Sequence, residues 1–126
     1  GGCQAEIGTA SAMAAGALVA LHGGSEKAII HAAAMAIKNL LGLVCDPVAG
    51  LVEVPCVKRN VVGAMNALSS ADMALAGIES RIPPDQVIDA MKEVGDQMNS
   101  SLKETGLGGL AGTPFGKEVA ENFLGK

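Results

Sequence analysis

The chain has 126 residues, 49% hydrophobic and 17% charged, with a net charge of −4. That length supports one domain with a real core, and the composition excludes a disordered tail. Seven lysines and two arginines lie dispersed, and Trp and Tyr are absent, which excludes the basic, aromatic-laced face that nucleic-acid binding needs.

Gln4 to about Leu21 reads as a helix of Ala and other small residues, apolar nearly all round, as in a central buried element. Its run without charge, Ile7–Leu21, is too short and too weakly apolar to span a membrane. It also lacks the basic start of a signal peptide. His22-Gly23-Gly24 ends the helix. Ser25 caps the next one, whose Ile29, Ile30, Ala33, Ile37, Leu40 and Leu41 follow the helical period until Gly42. A third helix is expected from about Val57 to Ala76, with Val61, Val62, Met65 and Leu68 as its apolar face. A fourth runs from about Pro84 to Leu102 on the stripe Val87, Ile88, Met91, Val94, Met98 and Leu102. Four glycines in Glu104–Gly112 make a loop. Thr113-Pro114 then starts a short last helix to about Phe123.

No strand pattern appears, and the core must come from Ala, Val, Leu, Ile and Met. The fold class expected is all-α. It is a compact helical bundle of about four main helices plus a short C-terminal helix, with an irregular cysteine-bearing segment between helices 2 and 3. Residues 1–126 read as a single helical domain. The start at Gly-Gly-Cys, without Met, is expected of a fragment of a larger catalytic domain.

Leu41–Asn60, LGLVCDPVAGLVEVPCVKRN, breaks the helical pattern and carries two of the three cysteines, Cys45 and Cys56. Irregular backbone between helices can turn side chains toward one point. An odd number of cysteines fits a disulfide framework poorly, and without a secretion signal a cytoplasmic location is expected. The spacing from Cys3 matches neither paired zinc motifs nor ferredoxins. Taken alone, these cysteines are small buried hydrophobes, or ligands.

Three stretches decide more: GCQAEIG at Gly2–Gly8, LGLVCDPVAGLVEVPCVKRN at Leu41–Asn60, and ETGLGGLA at Glu104–Ala111. In this order the chain resembles the catalytic chain of iron–sulfur-dependent L-serine dehydratase (L-serine ammonia-lyase), in the alpha-chain form of the two-subunit type. The resemblance implies a [4Fe–4S] cluster on Cys3, Cys45 and Cys56, with one iron not ligated by cysteine and left for substrate. It implies conversion of L-serine to pyruvate and ammonia. Loss of the hydroxyl, with charge on the departing oxygen stabilised by that iron, would leave aminoacrylate, which tautomerises to an imine and hydrolyses. It also implies a partner beta chain in a hetero-oligomer, and upstream residues, absent here, that would include the general base. Some single-chain relatives place a C-terminal cysteine on the open iron; none follows Cys56 here, so water or another small ligand is expected there at rest.

Around these ligands, Gln4 is a candidate hydrogen-bond donor behind the cluster. Glu6, one turn past Cys3, reaches the cluster rim or the substrate ammonium, or is a carboxylate favoured at a helix N-terminus. Asp46 makes a local turn or joins the site. Arg59 suits bidentate capture of the serine carboxylate, with Asn60 beside it, or both are a solvated helix start. His22 and His31 read as structural. The rivals to an enzyme are a zinc module using the three cysteines with His22 or His31, and a helical interaction subunit whose cysteines only pack.

Overall fold

In the computed structural model of the chain, residues 1–125 are described. The fold is all-α, with five helices: α1 (Cys3–Leu21), α2 (Glu26–Asn39), α3 (Cys56–Leu75), α4 (Pro84–Gln97) and α5 (Pro114–Leu124). The only pairing outside helices among the described residues is one isolated parallel bridge between Cys45 and Lys103. Among the described residues no helix is long and apolar enough to cross a membrane.

Each start has a local cause. Ser25 accepts the Ala28 amide to cap α2, Thr113 accepts the Gly116 amide to cap α5, and Pro84 supplies the preset φ for α4. Five residues fewer than expected belong to α4. Its register breaks at Met98, and Asn99 turns its side chain to the Ser101 amide, opening a short 3-10 turn, Ser100–Leu102. Asn and Ser side chains compete with helix bonds in this way.

The bundle is organised by α1, which packs against α2 on one side and α3 on the other, while α2 also meets α4 and α5 covers the loops. The core is mostly alanine: Ala12, Ala15, Ala32, Ala34, Ala36, Ala67, Ala71 and Ala74, with Val19, Met35, Ile37 and Val87. Such small side chains let helix axes come close. Gly63 shows how close, since a Cβ there would sit 2.7 Å from Ile7 Cγ2.

Two expectations are corrected by this packing. The apolar face assigned to the third helix is its outer face: Val61, Val62, Met65 and Leu68 are exposed, and α3 buries Gly63, Ala67, Ser70, Ala71 and Ala74 instead. Close approach to α1 selects the small residues over the large apolar ones. Likewise α1 is central but not enclosed, because Glu6, Ala10, Met13 and Ala17 face outward.

A polar knot fixes the register of α1, α2 and α3. Ser11 Oγ donates to Gly63 O at 2.7 Å, Asn66 Nδ2 donates to Ser11 Oγ and Ala36 O, and Asn39 Nδ2 donates to Asn66 Oδ1. Buried polar groups satisfied in this way resist sliding of the apolar faces.

Candidate functional site

The N-terminus of α1, the segment after α2, the N-terminus of α3 and the loop before α5 meet at one end of the bundle. Cys3 is the first residue of α1. It is placed there by Gly2, whose φ of 74° favours glycine, and where a Cβ would lie 2.8 Å from Leu43 O. The α1 start has no side-chain cap of its own. Distant groups supply what is missing: Leu43 O accepts the Gln4 amide at 2.9 Å, and Glu104 Oε1 accepts the Gly2 amide at 2.9 Å. Glu104 does this from a left-handed backbone (φ 60°), unusual for a non-glycine residue.

Cys45 is held by a different contact, its amide donating to Leu102 O at 2.9 Å beside the bridge to Lys103. Cys56 opens α3, directly after the cis Val54–Pro55 peptide. Cys3 and Cys45 are buried and pack together with Ile7, and Cys56 is half-buried. All three are free thiols. Cys45 and, more weakly, Cys56 lie close enough to Cys3 to help raise its pKa. Burial, then the neighbouring Cys45, pushes the Cys3 thiol up to about 11. Burial and Cys45 also raise Cys56. A cluster of thiols prefers to keep its protons unless a cation takes their place.

Asp46 and Arg59 form the polar wall of this group. Asp46 is 3% exposed. Its Oδ1 accepts Arg59 Nη1 at 2.5 Å and its Oδ2 accepts the Leu110 amide at 2.8 Å. Thus Asp46 makes long-range bonds rather than a local turn. Arg59 Nη1 also donates to Val44 O at 3.0 Å, and its positive charge offsets part of the rise in the Cys3 pKa. Partial burial depresses the Arg59 pKa, but the Asp46 hydrogen bond and charge outweigh it and the net shift is upward.

The other candidates fall in different places. Gln4 is 1% exposed and both ends of its amide are taken by backbone: Nε2 donates to Met91 O and Oε1 accepts the Gly42 amide. It ties α1 to α4 and to the end of α2. Glu6 is exposed near enough to Cys56 for its charge to act there. Asn60 is exposed and donates to Cys56 O at 2.9 Å. It also lines a groove of about 200 Å³ between α1 and α3, with Ile7, Ser11 and Gly63.

The histidines lie elsewhere. His22 follows the far end of α1 from Cys3, about 27 Å along the axis at 1.5 Å per residue, and its Nδ1 donates to Leu18 O. His31 Nδ1 accepts the Ser80 amide. Neither joins the thiols, so the zinc set of three cysteines and a histidine does not assemble. Among the described residues no three His, Cys, Asp or Glu side chains close on a single ion. An iron–sulfide cube holds its corner thiolates farther apart than one ion does. The donor set suits it: soft sulfur, brought from three segments, with a fixed cation alongside and one thiol half-open to solvent.

Sequence reasoning missed Glu104 as part of this site, and read the run Thr105–Gly112 as backbone amides for substrate or a linker, whereas the Leu110 amide serves Asp46. Both lie within ETGLGGLA, but nothing local shows that Glu104 reaches back to the start of α1 or that the loop amide reaches Asp46.

Residues 1–111 match the family model described as serine dehydratase alpha chain. A probable L-serine dehydratase alpha chain of Latilactobacillus sakei is 63% identical over 126 residues, which is 100% of this chain and 60% of that protein. One from Bacillus subtilis is 62% identical over 99% of this chain and 42% of its own length. The L-serine dehydratase alpha chain of Peptoniphilus asaccharolyticus is 58% identical over 98% and 42%. The chain thus spans between 42% and 60% of these three relatives.

Proposed function

The chain belongs to the serine dehydratase alpha chain family, and from that footing we propose that it is the cluster-binding portion of an enzyme converting L-serine to pyruvate and ammonia. The observation that carries this is the meeting of Cys3, Cys45 and Cys56, from three separate segments, at one end of the bundle. These three thiolates would hold a [4Fe–4S] cluster with one corner free of cysteine. The cluster would supply Lewis acidity for loss of the serine hydroxyl.

The chain's own residues supply the surroundings. Arg59, fixed by Asp46, brings a permanent positive charge to a part-buried site, where charge counts for more than in water. Glu6 and Asn60 stand on the open side, near Cys56. In this reading Glu6 would meet the ammonium group of serine, with Asn60 Oδ1 as a second acceptor. Ile7, packed on Cys3 and Cys45, keeps water from their buried side. Gln4 holds the α1 start rather than any reacting group. A beta chain is the partner that the relatives' name "alpha chain" supports.

Anaerobic reconstitution with iron and sulfide, followed by a pyruvate assay on L-serine with the whole family chain and its partner, tests this. Pyruvate formed only after reconstitution, and lost with Cys45→Ala, is expected. Equal pyruvate from protein free of iron would overturn it.

A further inference from the structure

Arg59 is tied down more firmly than a residue awaiting a substrate carboxylate would be. Its Nη1 serves Asp46 Oδ1 and Val44 O together. Its side chain is only one-fifth exposed; the two residues it is tied to, Val44 and Asp46, flank Cys45, and Arg59 itself lies about one helical turn after Cys56. Asp46 is buried, and its two oxygens are spent on Arg59 and the Leu110 amide. Gly109 closes over that carboxylate so tightly that a Cβ there would lie within 3 Å of Oδ2, Cβ and Cγ of Asp46. A buried carboxylate that moved would abandon a cation and an amide at once, at a cost of several kcal/mol. The direction of the guanidinium is therefore set by Asp46.

We propose that Asp46 is a positioning residue that holds Arg59 as a fixed cation beside the three thiols, so that Arg59 serves the thiolate set and not the carboxylate of the substrate. This rests on the cluster reading above and deepens it. Three thiolates gathered in a part-buried site repel one another, and one permanent positive charge among them offsets part of that. Net charge and hydrogen bonds to the ligand sulfurs also set the potential of such a cluster and its hold on iron. Lysine could not do the same work, since a flexible point charge lacks the rigid planar donor group that holds to a carboxylate and a carbonyl together.

The test uses the whole family chain with its partner, reconstituted anaerobically, as wild type, Asp46→Asn, Arg59→Gln, Arg59→Lys and the Asp46→Asn/Arg59→Gln double variant. Three quantities are measured: the reduction midpoint of the cluster, the rate of iron loss to a chelator, and KM and kcat for L-serine. Arg59→Gln is expected to shift the midpoint downward and to speed iron loss several-fold, with KM little changed. Asp46→Asn shifts both quantities the same way by less, and the double variant matches Arg59→Gln, because Asp46 acts through Arg59. Should Asp46→Asn fail to fold, Arg59→Lys decides, with iron loss expected between wild type and Arg59→Gln. An unmoved midpoint in Arg59→Gln with KM raised about ten-fold or more would overturn the proposal and return Arg59 to the substrate. Wild type that binds no iron would overturn the cluster reading along with it. Wild type that binds iron, with every variant equal to it, would overturn the positioning role alone.

Discussion

Replacing Gly109 by Ala presses on the joint of the site. Gly109 has φ +59°, and its added Cβ would stand 2.4 Å from Asp46 Oδ2, 2.7 Å from its Cβ and 2.9 Å from its Cγ. The left-handed backbone costs a residue with a Cβ about 1–2 kcal/mol. Contact with the whole Asp46 side chain, not only its tip, means that the carboxylate must move. The charge-assisted bond to Arg59 or the Leu110 amide is then lost, at about 1.5–3 kcal/mol. Together the substitution should cost about 3–5 kcal/mol, a large share of the stability of a domain this size. Gly42 is the control: its φ is +84°, but nothing lies within 4 Å of its added Cβ, so Gly42→Ala should cost only the backbone part, about 1–2 kcal/mol. Urea unfolding of the iron-free protein measures both. Equal losses for the two variants would refute the crowding argument and the tight seating of Asp46 with it.

Four more outcomes follow from particular residues. Ser70 Oγ is buried without a hydrogen-bond partner, so Ser70→Ala should raise stability by about 1 kcal/mol, read as a higher urea midpoint. Gln4→Ala strands the Met91 carbonyl and the Gly42 amide; a loss of about 2–4 kcal/mol is expected from two unsatisfied groups, measured in the same way. The Cys3 thiol is raised from 9.0 to about 11 by burial and Cys45. A raised folded pKa stabilises fully below the unfolded value and is lost as pH rises. The iron-free protein should therefore lose about 2 kcal/mol between about pH 9 and 11, and Cys3→Ala should flatten that slope. The same raised thiols make iron uptake release protons, so loading should weaken as pH falls.

The helices were legible because their starts are local: Ser25, Pro84 and Thr113 announce themselves by residue type. The face that α3 buries was not. Periodicity weighs hydrophobicity, and Val61, Val62, Met65 and Leu68 outweigh Gly63, Ala67, Ser70 and Ala71 on that scale, yet closeness to α1 selects the smaller set. The three cysteines stood out only through the stretches around them, since their spacing alone has no meaning. Gln4 lies beside Cys3 in the chain but spends its amide on the backbone of distant segments. Asp46, read as a turn former or a member of the site, depends on partners 13 and 64 positions away. Glu104 reaches across 102 positions to Gly2. Bonds of that span follow from tertiary packing, which no local pattern encodes.

Counting iron and sulfide after anaerobic reconstitution tests the central claim most directly, with wild type set against Cys3→Ala, Cys45→Ala and Cys56→Ala. The account predicts about four of each per wild-type chain and a marked loss in every variant. A wild-type protein that stays colourless and iron-free, or a variant that binds as much as wild type, would contradict it.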